Sequence, residues 1–237
     1  MKRTEKFQRI YERACKRKGG EQGLKSLLKK PVSTKKLKRL GDDRFLAEFT
    51  KKVFQSGFVW RVVERKWPAF EQAFFKFNIN VLLHKPDEFF EEIASNPAII
   101  RNYRKVQAIQ HNALMIHEVQ CQGTSFAEFV ADWPSEDIVG LWAYLKKHGS
   151  RLGGNTGPYA LRALGKDTFL LSRDVEQYLQ AYGVFTGSSS SKRSRDQVQA
   201  FFNTLHQDSG YSYQHLSQII SFSTGDNFVL PESAEVV

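Results

Sequence analysis

Residues 149–158 form a glycine-rich segment whose backbone is suited to binding an anion. Glycine lets the chain turn sharply and approach a partner closely, and Pro158 suits the first position of a helix. The first amides of a helix point outward unpaired, and they attract phosphate. The segment therefore predicts a phosphate-binding hairpin between two helices, with an ordinary helix–helix turn as the alternative. The residues predicted to contact the phosphate are Arg151, Gly153, Gly154, Asn155, Thr156 and Gly157.

Helices must position this hairpin and the residues around it. One is predicted over residues 135–148 and ends at Gly149, which tolerates the left-handed conformation common at helix ends. Another is predicted to begin at Asp42, because the carboxylates of Asp42 and Asp43 sit where they can cap the helix and where the positive end of its dipole favours them. Its apolar residues recur at helical spacing and form a buried stripe: Phe45, Leu46, Phe49, Val53 and Phe54.

Two further helix starts are indicated by proline, which is preorganised for the first turn. One helix is predicted to begin at Pro68. The other is predicted to begin at Asn96-Pro97, with Asn96 as the cap, and to run to about Val119. Because no segment shows the alternation of a half-buried strand, the sequence predicts an all-α protein.

The positive charge of the chain is concentrated at its N-terminus. The formal net charge is +10, yet residues 1–41 hold 15 Lys and Arg against 3 Glu, and the remainder holds 20 basic and 22 acidic residues. Such an arm favours a polyanionic partner such as nucleic acid, with a solubilising tail as the alternative. Cys15 and Cys121 do not suggest a disulfide framework, so we expect a reducing, cytoplasmic location. No stretch is long and apolar enough to predict a membrane span or signal peptide, so we expect no membrane partner.

These patterns predict four parts of the chain. Residues 1–41 form the basic helical arm, and residues 42–185 form the helical core that carries the hairpin. Residues 186–194, which include Gly187 and four consecutive serines, read as a flexible surface loop. Residues 195–237 are predicted to form C-terminal helices that pack back on the core.

Three stretches of the core resemble the DNA-3-methyladenine glycosylase I family of the helix-hairpin-helix DNA glycosylases. They are Asp42-Asp43-Arg44-Phe45, Phe54-Gln55-Ser56-Gly57-Phe58-Val59-Trp60 and Asn96-Pro97-Ala98-Ile99-Ile100-Arg101-Asn102. The resemblance implies an all-helical helix-hairpin-helix fold with two helical subdomains flanking a cleft. It also implies base-excision repair, in which an alkylated purine such as 3-methyladenine is turned out of double-stranded DNA and its N-glycosidic bond is hydrolysed.

An enzyme of this kind needs phosphate clamps, a wedge for the gap in the stack and an aromatic pocket for the extruded base. The hairpin is the expected clamp, and Arg101 is a further candidate contact, although a solvated face explains Arg101 equally well. Trp60 matches a base-stacking tryptophan of the family. The other residues predicted to form the pocket are Lys52, Phe54, Gln55, Phe58 and Trp67; plain core packing is the alternative for the phenylalanines.

The sequence departs from the family pattern in its pocket and its metal ligands. The resemblance places a glutamate that recognises the alkylated adenine at position 52, where this chain has Lys52. A lysine cannot accept a hydrogen bond and repels a cationic base. The cysteine and histidine ligands of the family's zinc have no counterparts here, so we expect no metal and no cofactor.

The wider superfamily places a catalytic aspartate three residues before a valine after the hairpin. Counting back from Val175 gives Ser172, which is better explained as a helix cap, and Asp174 is the nearest candidate substitute. No lysine lies between Arg151 and Gly165, where strand-nicking relatives keep a nucleophile. We therefore expect a monofunctional, monomeric glycosylase without AP-lyase activity. The alternatives are a non-catalytic DNA-binding relative that senses or shields lesions, and a basic helical interaction protein.

Overall fold

The computed structural model describes residues 5–226, and throughout this range the secondary structure is helical, with no strand. The all-α prediction is therefore confirmed. The described chain forms two compact units, one of residues 32–166 and one that combines residues 5–31 with residues 167–226. The placement of the two subdomains about a cleft stays a prediction.

The unit of residues 32–166 contains the hairpin. Its helices are α3 (Thr34–Leu37), α4 (Asp42–Gln55), α5 (Trp60–Ala73), α6 (Ile79–Leu83), α7 (Asp87–Ser95), α8 (Tyr103–Gln120), α9 (Phe126–Asp132), α10 (Ile138–His148) and α11 (Thr156–Leu164). The second unit has α1 (Phe7–Arg17), α2 (Gly20–Leu27), α12 (Arg173–Ala181), α13 (Lys192–Ser209) and α14 (Tyr213–Ser223).

Helix α4 is at the centre of its unit because its apolar stripe is buried along its length. All five predicted stripe residues, Phe45 to Phe54, are at most 2 % exposed. The rings of Phe45 and Phe49 meet Phe126 of α9 edge-on, with centroids 5.5 and 5.9 Å away. Offset and edge-to-face contacts of this kind add stabilisation beyond the buried area. This packing fixes the position of α4 and therefore of the side chains on its last turn.

Asp42 caps a different helix from the one it begins. The residue before α4 is Gly41, while the carboxylate oxygens of Asp42 accept hydrogen bonds from the backbone amides of Phe126 and Ala127, both at 2.9 Å. These are first-turn amides of α9, which otherwise lack partners. The prediction that Asp42 caps its own helix is wrong, because α9 packs close enough to use the carboxylate.

Two predicted helix starts also differ from the structure. Pro68 lies inside α5, which begins at Trp60. Asn96 is followed by a turn, in which its Oδ1 accepts from the Ala98 amide at 2.8 Å, and α8 begins only after Asn102. Both asparagines have a side chain that accepts from a nearby amide, but the chain continues as a helix only after Asn102.

The N-terminal segment packs with the C-terminal helices. Ile10 and Ala14 of α1 are fully buried, and Arg13 Nε donates to the Ser223 carbonyl at 3.0 Å. Residues 5–31 thus belong to the unit of residues 167–226, whereas the charge pattern placed a boundary at residue 41. Bends and turns occupy residues 186–191 only, because Ser191 caps α13 and the helix begins at Lys192, inside the predicted loop. The parts of the domain prediction that fall on residues 1–4 and 227–237 lie outside the described residues.

Candidate functional site

The glycine-rich segment is a tight hairpin between α10 and α11. Gly154 and Arg151 adopt left-handed backbone conformations, with φ of 61° and 60°. Gly149 ends α10 with φ of −97°, so the predicted left-handed role of this glycine is wrong. The residue must be small instead, because a Cβ there would lie 2.7 Å from Leu152 Cδ1 and 2.8 Å from the Leu145 carbonyl oxygen.

A buried asparagine holds the start of the hairpin. Asn112 of α8 is fully buried, and its Oδ1 accepts from the Ser150 amide at 2.8 Å while its Nδ2 donates to the Ser150 carbonyl at 3.2 Å. One side chain thereby fixes both backbone groups of Ser150. This role was not predicted from the sequence. The available signal was a polar residue on the inward face of α8, between Ile109 and Ile116.

The hairpin uses part of its own backbone to close. The Thr156 amide donates to the Gly153 carbonyl at 3.3 Å, and the Gly157 amide donates to the Leu152 carbonyl at 3.1 Å. Within residues 5–226, the amides of Gly153 and Gly154 donate no hydrogen bond. The backbone donors for an anion are therefore those at the tip of the hairpin rather than those at the start of α11.

Positive side chains surround the hairpin. Helix α10 ends in Lys146, Lys147 and His148, and the Lys146 chain packs against Gly153. Arg151 is exposed and its Nε donates to the Arg104 carbonyl at 3.2 Å. The local charge is therefore suited to a phosphate backbone.

Two basic residues near the start of α8, Arg101 and Lys105, differ in their surroundings. Lys105 Nζ donates to the carbonyls of Phe54 and Ser56 at the end of α4, at 3.2 and 2.8 Å. Burial, together with the neighbouring Arg151, lowers the pKa of Lys105. Lys105 therefore ties α4 to α8, whereas Arg101 is exposed and stays a candidate contact.

A pocket of about 270 Å³ lies where the end of α4, the start of α5 and the start of α11 meet. It is lined by Lys52, Gln55, Ser56, Gly57, Trp60, Asn155, Thr156 and Tyr159. Trp60 is 53 % exposed, and the Tyr159 ring meets it edge-on with centroids 6.4 Å apart. Grooves of about 480 and 540 Å³ exist elsewhere, but neither has a tryptophan or a hairpin residue in its lining. The pocket thus combines an accessible aromatic face with the hairpin.

A charged network forms one wall of this pocket. Lys52 Nζ lies 3.1 Å from Glu48 Oε1, donates to Gln55 Oε1 at 3.0 Å and is 5.4 Å from the centroid of the Trp60 ring. Gln55 Nε2 in turn donates to Glu64 Oε1 at 2.9 Å. Burial raises the pKa of Glu48, although Lys52 favours its ionised form. These contacts hold Lys52 and Gln55, at the end of α4, next to Trp60 at the start of α5.

The family model of the methyladenine glycosylases matches residues 38–163, which is more than half of the chain and includes both the pocket and the hairpin. The chain belongs to the methyladenine glycosylase family. It is therefore a base-excision repair glycosylase for alkylated bases, and its DNA glycosylase activity follows from that membership.

Solved structures of DNA glycosylases are also similar to this chain. The 8-oxoguanine DNA glycosylase of Methanocaldococcus jannaschii has a TM-score of 0.57 at 14 % identity, over 90 % of this chain and 92 % of that one. A crystal structure of 3-methyladenine DNA glycosylase I has a TM-score of 0.46 at 25 % identity, over 53 % and 79 %. A variant of that enzyme from Staphylococcus aureus has 0.45 at 19 %, over 61 % and 84 %. The first likeness shows the helical DNA glycosylase fold.

The structure of this glycosylase gathers some of the predicted pocket residues and separates others. Lys52, Gln55 and Trp60 line the pocket together with Asn155 and Thr156 of the hairpin. Tyr159, Ser56 and Gly57 also line it, although our sequence analysis did not assign them to the pocket. Tyr159 was detectable only as an aromatic residue in the first turn of the hairpin helix.

Three predicted aromatic residues lie outside the pocket lining. Phe54 is fully buried and meets Phe70 edge-on, with centroids 4.7 Å apart. Trp67 stacks with Phe70 and Phe77 at 5.4 Å each. Phe58 is 44 % exposed at the loop between α4 and α5. Phe54 thus faces the core, although Lys52 and Gln55 in the same turn of α4 line the pocket.

The predicted catalytic carboxylate belongs to the other unit. Asp174 lies in the first turn of α12, and its Oδ2 accepts from Ser221 Oγ at 3.4 Å. Ser172 caps α12 by accepting from the Val175 amide, as predicted.

The described residues hold no group of three or more histidine, cysteine or acidic side chains placed to bind a metal ion. Cys15 and Cys121 are both free thiols. Among the helices described, none is long and apolar enough to cross a membrane.

Proposed function

We propose that this glycosylase turns an alkylated purine out of double-stranded DNA, stacks it on Trp60 and hydrolyses its N-glycosidic bond with water. The observation that carries the proposal is the exposed Trp60 face in a pocket whose lining includes hairpin residues. A base stacked on an aromatic ring gains about 1–3 kcal/mol, which offsets the few kcal/mol that eversion costs. Tyr159 supports the ring from its edge and holds the face in place.

The apolar loop before α5 is suited to fill the gap that an everted base leaves. Phe58, Val59 and Trp60 are consecutive, and they are 44, 64 and 53 % exposed. Exposed apolar residues in a row are costly unless a partner covers them. Apolar side chains inserted between base steps are a common means of prising a duplex open. We assign Phe58 and Val59 to the wedge and Trp60 to the pocket.

The chemistry requires little from the protein beyond orientation and exclusion of water. A purine that alkylation makes cationic is a good leaving group, and a neutral alkylated purine leaves once a ring nitrogen is protonated. In either case a pocket that flips, orients and desolvates the base lowers the remaining barrier. Residues 151–165 contain no lysine to serve as a Schiff-base nucleophile, and Lys52 Nζ is engaged by Glu48 and Gln55. The enzyme is therefore monofunctional in this proposal, and it acts as a monomer in a reducing cytoplasm.

A second candidate is a non-catalytic relative that senses or shields lesions. Lys52 favours it, because its ammonium group lies in the pocket where the family resemblance implies a carboxylate. In this case the protein binds lesion-containing duplexes with a steep dependence on salt but releases no base.

Base release from methylated duplex DNA under single-turnover conditions, with protein in excess, separates the two candidates. We expect wild type to release free base and Trp60→Ala to be about tenfold to a hundredfold slower, from the lost stacking. Phe75→Ala is the matched control, because Phe75 is 41 % exposed in the same unit and outside the pocket. It should retain the wild-type rate. Absence of release from any alkylated duplex would contradict the catalytic proposal, and trapping of the DNA by borohydride would contradict monofunctional chemistry.

A further inference from the structure

The ammonium group of Lys52 is the charged donor that the pocket presents beside its stacking ring. Lys52 Nζ lies 5.4 Å from the Trp60 ring centroid, and the Lys52 side chain is only 14 % exposed. A lysine has three N–H donors. Glu48 and Gln55 engage two of them, and the described residues offer no hydrogen-bond acceptor to the third.

The neighbouring side chains fix Lys52 in this position. Gln55 is 3 % exposed, and it accepts from Lys52 with Oε1 while donating to Glu64 with Nε2. Glu64 Oε2 is also 3.0 Å from Lys51 Nζ. Because Gln55 has one acceptor end and one donor end, this order of contacts turns its carbonyl, rather than its amide nitrogen, toward Lys52.

The negative partner of Lys52 lies behind the pocket wall. Glu48 is one helical turn before Lys52 and is absent from the pocket lining. Its pKa is raised by burial, against the opposing effect of Lys52 and Lys51, and Glu64 adds to the increase. An everted base therefore meets the ammonium group before the carboxylate.

We infer that Lys52 makes this pocket selective for a neutral alkylated base that turns a lone-pair acceptor toward its ammonium group. The inference rests on the proposed function, because it concerns the base that is stacked on Trp60. A carbonyl oxygen or an unalkylated ring nitrogen accepts from Lys52 Nζ. A purine that carries a fixed positive charge meets a like charge in a partly desolvated site, where charge interactions are stronger than in water.

The test compares two bases of the same shape and different charge. One duplex carries a 2′-fluoro 3-methyladenine nucleotide, which is cationic and resists hydrolysis, and the other carries 3-deaza-3-methyladenine, which is neutral. Equilibrium affinities are measured for wild type, Lys52→Glu and Lys52→Gln. We expect wild type to prefer the neutral base by about tenfold and Lys52→Glu to reverse this preference, because the sign of the pocket charge changes. Lys52→Gln should bring the ratio close to one.

Each affinity ratio compares two ligands on one protein preparation, so it is insensitive to the fraction of a variant that is folded. Lys76→Glu is the matched control, since it makes the same charge change at an exposed lysine of the same unit outside the pocket lining. It should leave the ratio unchanged. An equal affinity of wild type for both bases, or a ratio that Lys52→Glu and Lys52→Gln do not change, overturns the inference.

A parallel excision assay separates this inference from the proposed function. The ratio of single-turnover rates is measured for 3-methyladenine and for the neutral 1,N6-ethenoadenine. Charge-dependent affinities without any release contradict the catalytic proposal and support the role of Lys52. Release of base with a rate ratio that Lys52→Glu does not change supports the catalytic proposal and overturns the role of Lys52.

Discussion

Two tryptophans on α5 have similar neighbours and different roles. Trp60 begins the helix and Trp67 lies two turns later, and a lysine of α4 lies over each ring: Lys52 Nζ is 5.4 Å from Trp60 and Lys51 Nζ is 4.9 Å from Trp67. Trp67 is stacked with two phenylalanines and its Nε1 donates to Glu71 at 3.1 Å. Trp60 has one edge-on partner, Tyr159, and is 53 % exposed.

The difference shows that ring type and a nearby cation do not identify a binding residue. A ring stacked on other rings already has its contacts, whereas a ring with an exposed face gains them from a ligand. Trp67 is therefore a half-buried ring packed on the aromatic core of the unit, and Trp60 belongs to the pocket. Variants that break one set of contacts while preserving the other test this division.

The largest effect on stability is expected from replacing the two tryptophans with alanine. Trp67→Ala should lower the free energy of unfolding by about 3 kcal/mol, because it removes a half-buried ring stacked on Phe70 and Phe77. Trp60→Ala should lower it by less than about 1 kcal/mol, because an exposed ring has few contacts to lose. Chemical denaturation measures both values. Equal losses would mean that Trp60 is a core residue, and the division would fail.

An intermediate effect is expected at the hairpin, which supports the pocket side of the comparison. A Cβ at Gly157 would lie 2.6 Å from the Leu152 carbonyl oxygen, so Gly157→Ala should cost about 2 kcal/mol of stability. It should also slow base release, since Tyr159 is carried by the same turn. Gly154 has open space around it but φ of +61°, so Gly154→Ala should cost only about 1 kcal/mol. A smaller loss at Gly157 than at Gly154 would contradict the packing described here.

The smallest effect is expected from the carboxylate behind Lys52, and it depends on pH. Burial raises the pKa of Glu48 above 4.5, so its stabilising contribution is complete below pH 4.5 and is lost as pH rises through the higher folded-state value. Glu48→Gln lacks this titration. The stability of wild type relative to Glu48→Gln should therefore decline over that range.

The pKa of Glu5, in the other unit, is shifted in the opposite direction, so the same experiment should give the opposite dependence on pH. Its pKa is lowered, first by the hydrogen bond from Arg13, so its contribution is present above pH 4.5 and is lost as pH falls. Unfolding of Glu5→Gln and Glu48→Gln followed across pH should thus give differences from wild type of opposite slope. Slopes of the same sign would show that burial does not dominate at Glu48.

Local patterns predicted much of the fold and part of the site. The buried stripe of α4, the cap at Ser172 and the position of the hairpin follow from spacing, glycine and capping residues. The wrong predictions concern residues whose side chains contact a different segment from the one that the local sequence indicates, or whose local turn does not lead into a helix. Asp42 caps α9 rather than α4, and the turn at Asn96 does not continue into a helix.

The sequence by itself determined the helical class, the family motifs and a flexible-backbone hairpin, because these depend on residues a few positions apart. Only the tertiary structure decided that Asn112 holds Ser150 and that Trp60 is open while Trp67 is stacked. It also decided that residues 5–31 pack with residues 167–226. Exposure and pairing depend on which helix covers a side chain, and that neighbour is distant along the chain.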